Sequence, residues 1–301
     1  MRGGVGEPTM FWIPVTIVAA AFQVARNAAQ RSLMTGSGPW GATLVRFLFG
    51  LPFSCLFVAA TLALAPHDLT FSPAFFAWSA LGAFAQIGAT AALLVAMQRS
   101  SFALGTAFQQ SGLPFAALIG FFVFHDHLSP AAWSGILLAT AGLTALSWPR
   151  RIDGPRDWSA AILGTVSGAS FAVSANAFRQ ASHALDLAHP IPAALVTVAV
   201  VQAIQTAALG SWMLLFARPA LMAVLRSWRV SMGAGLFGAL ASACWFIALA
   251  MAPAGLVRAV GVVEMPIAAL AGKRLFAERI SGRQWLFGGA TAVGVLLAAL
   301  A

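Results

Sequence analysis

Glu264 is the one acidic side chain that the sequence places well inside a long apolar stretch, with Arg258 six residues before it and Pro266 two residues after. An ionisable group is costly in hydrocarbon, so one that persists there marks a functional site by default. Two chemistries are open to it. As a coupling group, Glu264 would take up a proton from one side and release it when substrate or a cation competes. As a structural group, it would stay ionised and pair with an intramembrane arginine, holding helices together. Arg258 lies roughly 9 Å along a helix and roughly 240° around it from Glu264, so the two share a face only if the chain unwinds near Pro266. Arg26 and Arg46 are the other partners within apolar spans.

Arg26, Arg46 and Arg258 together predict a cavity of positive potential. A guanidinium binds a carboxylate through two parallel hydrogen bonds, so an anionic or carboxylate-bearing substrate would supply the missing counter-charge. The competing reading is that arginines near helix ends snorkel to the interface, Arg26 foremost because it stands about five residues from the end of its span. Gln23, Asn27, Gln86, Gln109, Gln110, Asn176, Gln202 and Gln205 form the hydrogen-bonding complement. Gln202, Gln205 and Thr206 fall at i, i+3 and i+4, so part of this set is interhelical glue. Trp245, between Cys244 and Phe246, offers an aromatic wall or simple packing.

Other chemistry is thin. The histidines, His67, His125, His127, His183 and His189, lie in connections beside Asp68, Asp126 and Asp186, where interfacial polarity explains them better than a metal site or a pH sensor. Cys55 and Cys244 sit inside apolar spans without paired spacing and are expected to be buried thiols rather than a disulfide or metal motif. No Ser/His/Asp set or paired carboxylate lies within the spans, which argues against an enzyme, and no nucleotide-binding loop is present to couple ATP. No cofactor is expected.

The elements that must position these groups are membrane helices. The chain has 301 residues, 60% hydrophobic and 8% charged, more apolar than a soluble domain can be. About ten apolar runs, near residues 11–31, 39–64, 73–97, 101–124, 130–148, 158–181, 190–216, 230–251, 254–276 and 284–300, are each long enough to cross roughly 30 Å of hydrocarbon. Their uninterrupted apolarity excludes barrel strands, which alternate at period two. The net charge of +9 would raise nucleic acid as a partner in a soluble protein, but here the basic residues cluster in loops flanking the membrane. Residues 1–25 have the makings of a secretory signal, yet they continue into a polar stripe of Gln23, Arg26, Asn27 and Gln30 and are retained as the first span. Further stripes follow: Thr43, Arg46, Gly50 and Ser54 in the second, Gln86 and Thr90 in the third, and Thr106, Gln109 and Gln110 ahead of Gly112 and Pro114 in the fourth.

The second half retraces the first. FAVSANAFRQ from Phe171 matches FQVARNAAQR from Phe22, pairing Val24 with Val173 and Asn27 with Asn176, and Pro190 echoes Pro39. GLPFAALIGFFVFHDHLSPAAW from Gly112 aligns with EMPIAALAGKRLFAERISGRQW from Glu264 at an offset of 152. The polar linker PRRIDGPRDW, residues 149–158, divides the chain into repeats 1–149 and 150–301. With five spans per half, an odd number, the repeats are expected to lie in opposite orientations across the bilayer.

These residues resemble the drug/metabolite transporter superfamily in its ten-helix EamA-type branch. The pattern that carries the resemblance stands as Pro266, Gly272, Phe276, Glu278, Ile280, Ser281, Gln284, Trp285, Gly288 and Gly294. It recurs as Pro114, Gly120, Phe124, Asp126, Leu128, Ser129, Trp133, Gly135 and Gly142. The resemblance implies an all-α inverted-repeat carrier with a central cavity that moves small metabolites, often outward, the substrate itself left open. Three departures stand out. Phe22 and Phe171 replace an early tryptophan of the family, Asp126 is flanked by histidines where the family has Glu followed by Arg, and no basic tail precedes Ala301.

Orientation follows from the basic residues. Arg31, Arg99, Arg150, Arg151, Arg156, Arg218, Arg226, Arg229, Lys273, Arg274, Arg279 and Arg283 fall on one side, Arg2 and Arg179 on the other. The positive-inside rule then sets both termini outside the cytoplasm of a bacterial-type inner membrane. The expected function is a secondary active carrier, an exporter of a small amphipathic, zwitterionic or anionic metabolite such as an amino acid. The alternative is an uncoupled facilitator or lipid-handling protein using the same cavity. Two repeats in one chain make a monomer sufficient without excluding a dimer.

Overall fold

A computed structural model describes residues 10–64, 69–100, 105, 108–147, 155–276 and 282–300. His67, Asp68, Thr106, Glu278, Ile280 and Ser281, with the topology arginines Arg2, Arg150, Arg151 and Arg279, lie outside the described residues. So do the side chains of Arg156, Lys273, Arg274, Phe276, Arg283, Gln284 and Trp285.

The described chain is helical, with no strand: α1 Trp12–Leu48, α2 Leu51–Leu64, α3 Pro73–Arg99, α4 Gly112–Phe124, α5 Pro130–Ser147, α6 Pro155–Leu185, α7 Pro190–Phe216, α8 Arg218–Arg226, α9 Trp228–Met251, α10 Ala254–Gly261, α11 Glu264–Phe276 and α12 Gly282–Ala299. Five stretches among the described residues are long and apolar enough to cross a membrane: Trp12–Leu64, Pro73–Arg99, Trp158–Leu185, Pro190–Phe216 and Trp228–Met251.

The distribution of polarity is inverted relative to a water-soluble protein. Arg26, Gln109, Gln205 and Glu264 are wholly buried, whereas Leu64, Phe216 and Phe122 are 88%, 74% and 69% exposed. In water that arrangement would forfeit the hydrophobic driving force, while in a bilayer it puts apolar side chains on lipid and polar ones on each other. The molecule is an all-helical membrane protein. Cys55 belongs to the outer face: it is exposed, not buried as its apolar surroundings suggested, because on a lipid-facing helix the apolar side points outward. Cys244 is partly buried.

Helix boundaries follow local chemistry. Ser72 caps α3, its hydroxyl accepting from the Phe75 amide at 3.2 Å with Pro73 in the first turn. The first span and the start of the second run together as α1, bending at Gly38, whose φ of 67° costs a glycine nothing, with Pro39 beginning the continuation and α2 completing the second span. Gln30 donates to the Ala42 carbonyl across this bend at 2.7 Å. α8 falls where a plain connection was expected. It is a surface helix whose Ala217-to-Val224 face packs on α1 and α7 while Arg218 and Arg226 face outward.

Helix pairing exchanges partners between the halves. α3 packs most extensively on α6, α9 on α1, and α5 on α12. The last pair meets backbone to backbone: a Cβ on Gly135 would stand 2.5 Å from Ala298 N, and one on Gly294 would stand 2.5 Å from Ala139 N. α4 and α11, 13 residues each, begin 152 positions apart, and so do α5 and α12, 18 residues each. The chain tightens identically ahead of α4 and α11. Ser111 N bonds Phe108 O and Leu113 N bonds Gln110 O at 3.1 and 2.9 Å, matched by Val263 N to Val260 O and Met265 N to Val262 O at 3.2 and 2.9 Å.

Candidate functional site

The site grows from the break between α10 and α11. Val262 and Val263 form the tightened turn, so the helix restarts at Glu264 and Pro266 falls in the first turn, where its missing N–H leaves no bond unmade. The unwinding therefore precedes the proline instead of occurring at it. Glu264 opens a helix, where a negative charge is stabilised by the unpaired amides of the first turn. Glu264 and Arg258 consequently lie on different helical segments.

Among the described residues, no guanidinium binds the carboxylate directly. Gln23 Nε2 donates to Glu264 Oε2 at 2.6 Å, Gln110 Nε2 to the same oxygen at 3.0 Å, and Asn27 Nδ2 to Oε1 at 3.2 Å. Arg26 acts one step removed, its Nη2 and Nε donating to Asn27 Oδ1 at 2.7 and 3.2 Å. Arg26 is thus buried in a relay and does not snorkel. These three amide donors suit an ionised carboxylate. Gln110 Oε1 is buried without a partner, so rotation of that amide would turn a donor into the acceptor a protonated carboxyl needs.

Beside this network, α1, α3, α6, α9 and α10 border a narrow cleft of about 380 Å³, a volume that includes open solvent at its mouth. Its polar lining is Gln23, Arg46, Gln86, Ser174, Ser242 and Arg258, and its apolar lining includes Phe171, Phe178, Trp245, Phe246 and Leu249. Arg46 donates to Thr90 Oγ1 at 3.2 Å and Ser242 Oγ at 3.3 Å, while its Nε has no partner. Arg258 lies over the Trp245 ring, 5.4 Å from its centre, with Nε and Nη2 unpartnered; Trp245 Nε1 is unpartnered too. Arg26 and Arg46 both reach Gly238 on α9, where an added Cβ would meet Arg46 Cγ at 3.2 Å and Arg26 Cδ at 3.5 Å. Three guanidiniums and one carboxylate are therefore buried together, a surplus of positive charge.

Of the residues the sequence singled out, Gln23, Arg26, Asn27, Gln110 and Glu264 form one network, and Gln23, Arg46, Gln86, Trp245 and Arg258 line the cavity. Gln86 Oε1 accepts from Gln205 Nε2 at 2.8 Å. The others stand apart. Gln202 accepts from Ser54 at 2.8 Å, Asn176 donates to the Ala172 and Ala116 carbonyls at 3.0 and 3.3 Å, and Gln109 is wholly buried with no partner among the described residues. At the offset of 152, Gly112 occupies the place of Glu264 and packs on Gly168, so the carboxylate site exists in one half only. Sequence reasoning missed Phe171, Ser174, Phe178, Ser242, Phe246 and Leu249. Their signal was present: 171, 174, 175 and 178, like 242, 245, 246 and 249, fall on single helical faces.

Two polar pairs lie away from this centre. Arg179 on α6 donates to Asp126 at 2.6 Å, after His125 closes α4 in the left-handed region at φ 54°. Asp186 accepts from His189 Nδ1 at 2.8 Å and from the Ala188 and His189 amides at 2.9 and 3.2 Å. The His189 hydrogen bond is the largest cause holding the Asp186 carboxyl below the ordinary carboxylate range. His183 lies 3.0 Å from the Ala250 carbonyl. No three His, Cys, Asp or Glu side chains converge among the described residues.

No family model matches the chain, and no curated protein matches it. Among solved structures, 24 chains match. One, described as a crystal structure of a protein, superposes with a TM-score of 0.64 over 94% of this chain and 97% of its own, at 15% identity. That likeness is one of fold.

Proposed function

We propose that the protein is a secondary active carrier of the drug/metabolite transporter kind, which moves a small amphipathic, zwitterionic or anionic metabolite outward by alternating access. The observation that carries this reading is the cavity lined by Arg46 and Arg258, whose buried N–H groups include unpartnered ones, beside a wholly buried carboxylate. Buried charge without compensation is costly, and a bound anion would offset it. The coincident helix boundaries and turns at an offset of 152 support two five-span repeats, 1–149 and 150–301, in opposite orientations. The interrupted helix at Val262–Val263 is the kind of element that binds charge at membrane depth and shifts during access changes. Glu264 is the coupling group, taking a proton when Gln110 turns its carbonyl inward. The basic residues orient both termini away from the cytoplasm. The lipid bilayer and the substrate are the partners, and a monomer suffices.

A screen of amino acids, nucleosides, amines and organic acids for thermal stabilisation of the detergent-purified protein, followed by uptake into proteoliposomes under imposed gradients, tests the reading. Arg46→Ala and Arg258→Ala should each abolish uptake while membrane expression persists. Wild-type uptake by both variants overturns the anion cavity. A reporter fused after Ala301 that is active only in the cytoplasm overturns the orientation. Flux through Glu264→Gln protein that is unchanged from wild type under a proton gradient would favour the uncoupled facilitator.

A further inference from the structure

We infer that the cavity selects a hydrophobic monocarboxylate without an ammonium group, an aryl or branched-alkyl organic acid, in preference to the corresponding amino acid. This rests on the carrier reading and narrows its substrate class. Strong recognition of a zwitterion needs an anionic acceptor for the ammonium, and the cavity lining offers only neutral oxygens, with no carboxylate. Glu264 does not serve: it is wholly buried, and Gln23, Gln110 and Asn27 already donate to its two oxygens. Gln86, the lining amide on α3, has its carbonyl oxygen engaged by Gln205.

Donors, by contrast, are in surplus. Arg258 Nε and Nη2, Trp245 Nε1 and Arg46 Nε are buried without partners, on residues that line the same space. Arg258 is 5% exposed and Arg46 2%. A carboxylate is acceptor-only and would satisfy several of these donors at once, while an ammonium beside two guanidiniums would add like charge in a medium that screens poorly. The rest of the wall fits an apolar body. Phe178 and Phe246 stack with ring centres 4.2 Å apart, and Phe171 and Leu249 complete that side. A rigid ring or branched chain placed there removes apolar surface from water and leaves the carboxylate among the guanidiniums.

The test uses the full chain in detergent and four probes that share one ring: 3-phenylpropanoate, its amide, phenylalanine and 2-phenylethylamine. Dissociation constants come from the ligand dependence of the thermal midpoint. The acid should bind at least about tenfold more tightly than the other three. In Arg258→Gln protein the preference for acid over amide should fall to near unity, a readout that a merely structural role for Arg258 would not move. Phenylalanine binding as tightly as the acid overturns this inference and leaves the carrier reading standing. Tightest binding of the amine overturns both. Binding of none of the four, or an undiminished acid preference in Arg258→Gln, overturns the inference, while the carrier reading is judged separately by the uptake of the alanine variants.

Discussion

Gln23 donates its side-chain amide to Glu264 across 2.6 Å, joining residues 241 positions apart in the chain. The bond ties the first membrane-crossing helix to the interrupted helix of the second half. Neither residue is exposed beyond 4%, so the bond is made in a buried setting, where it is electrostatically stronger than in water. What happens to the charge on Glu264 is therefore transmitted to α1 directly.

Glu264→Gln keeps the size of the side chain and removes its charge, while its new NH2 group opposes donors already aimed at that place. A hydrogen bond to a charged group contributes about 1.5–3 kcal/mol, and the substitution weakens three of them. The variant should therefore melt several degrees lower and lose concentrative uptake driven by a proton gradient. Uptake in proteoliposomes with and without the gradient measures the second effect, and a thermal scan the first.

Asn27→Leu should leave Arg26 with buried donors that have lost their acceptor, at about 1–3 kcal/mol for each donor not rescued by water. Because Asn27 bridges Arg26 and Glu264, the effects of Asn27→Leu and Glu264→Leu should not add. A double-mutant cycle on denaturant unfolding in mixed micelles should return a coupling of about 0.5–3 kcal/mol. Additivity would separate Arg26 from the carboxylate.

Gly294→Val should destabilise the protein, since even its Cβ would meet Ala139 N at 2.5 Å and Gly135 O at 2.7 Å, backbone atoms that cannot rotate away. Overpacking of this kind costs about 1–3 kcal/mol. Gly289→Ala on the same helix meets nothing within 4 Å and should be neutral or stabilising by up to about 1 kcal/mol. Thermal midpoints of the two variants, read side by side, test whether the α5–α12 crossing requires glycine.

Acid stability offers a fourth test. Asp186 has its folded pKa depressed below the ordinary value of 3.8, chiefly by the His189 hydrogen bond. A depressed carboxylate contributes stability that is complete above the unfolded value and is lost as pH falls through the folded one. The wild-type midpoint should therefore exceed that of Asp186→Asn near neutral pH, and the two should converge once pH drops below the folded value. The difference is small because the pair is exposed, and a pH series of thermal midpoints measures it.

The sequence by itself determined that the chain is helical and lipid-embedded, since continuous apolar runs of spanning length leave no other way to satisfy the backbone. It also marked which faces turn inward. The polar stripes Gln23–Arg26–Asn27–Gln30 and Thr43–Arg46–Ser54 are all buried, because helical spacing alone groups them and hydrocarbon expels them from the other side. Periodicity along one helix cannot say which stripe meets which. Only the tertiary structure decided that Glu264 is held by three amides rather than an arginine, that Asn176 braces two helices while Asn27 joins the site, and that Arg46 and Arg258 share one cavity. The interrupted turn at Val262–Val263 was likewise hidden, because it depends on where the restarted helix packs and contains neither glycine nor proline. Those choices follow from interhelical contacts between residues far apart in the chain, where the partner that satisfies a buried polar group is set by packing geometry and not by local sequence.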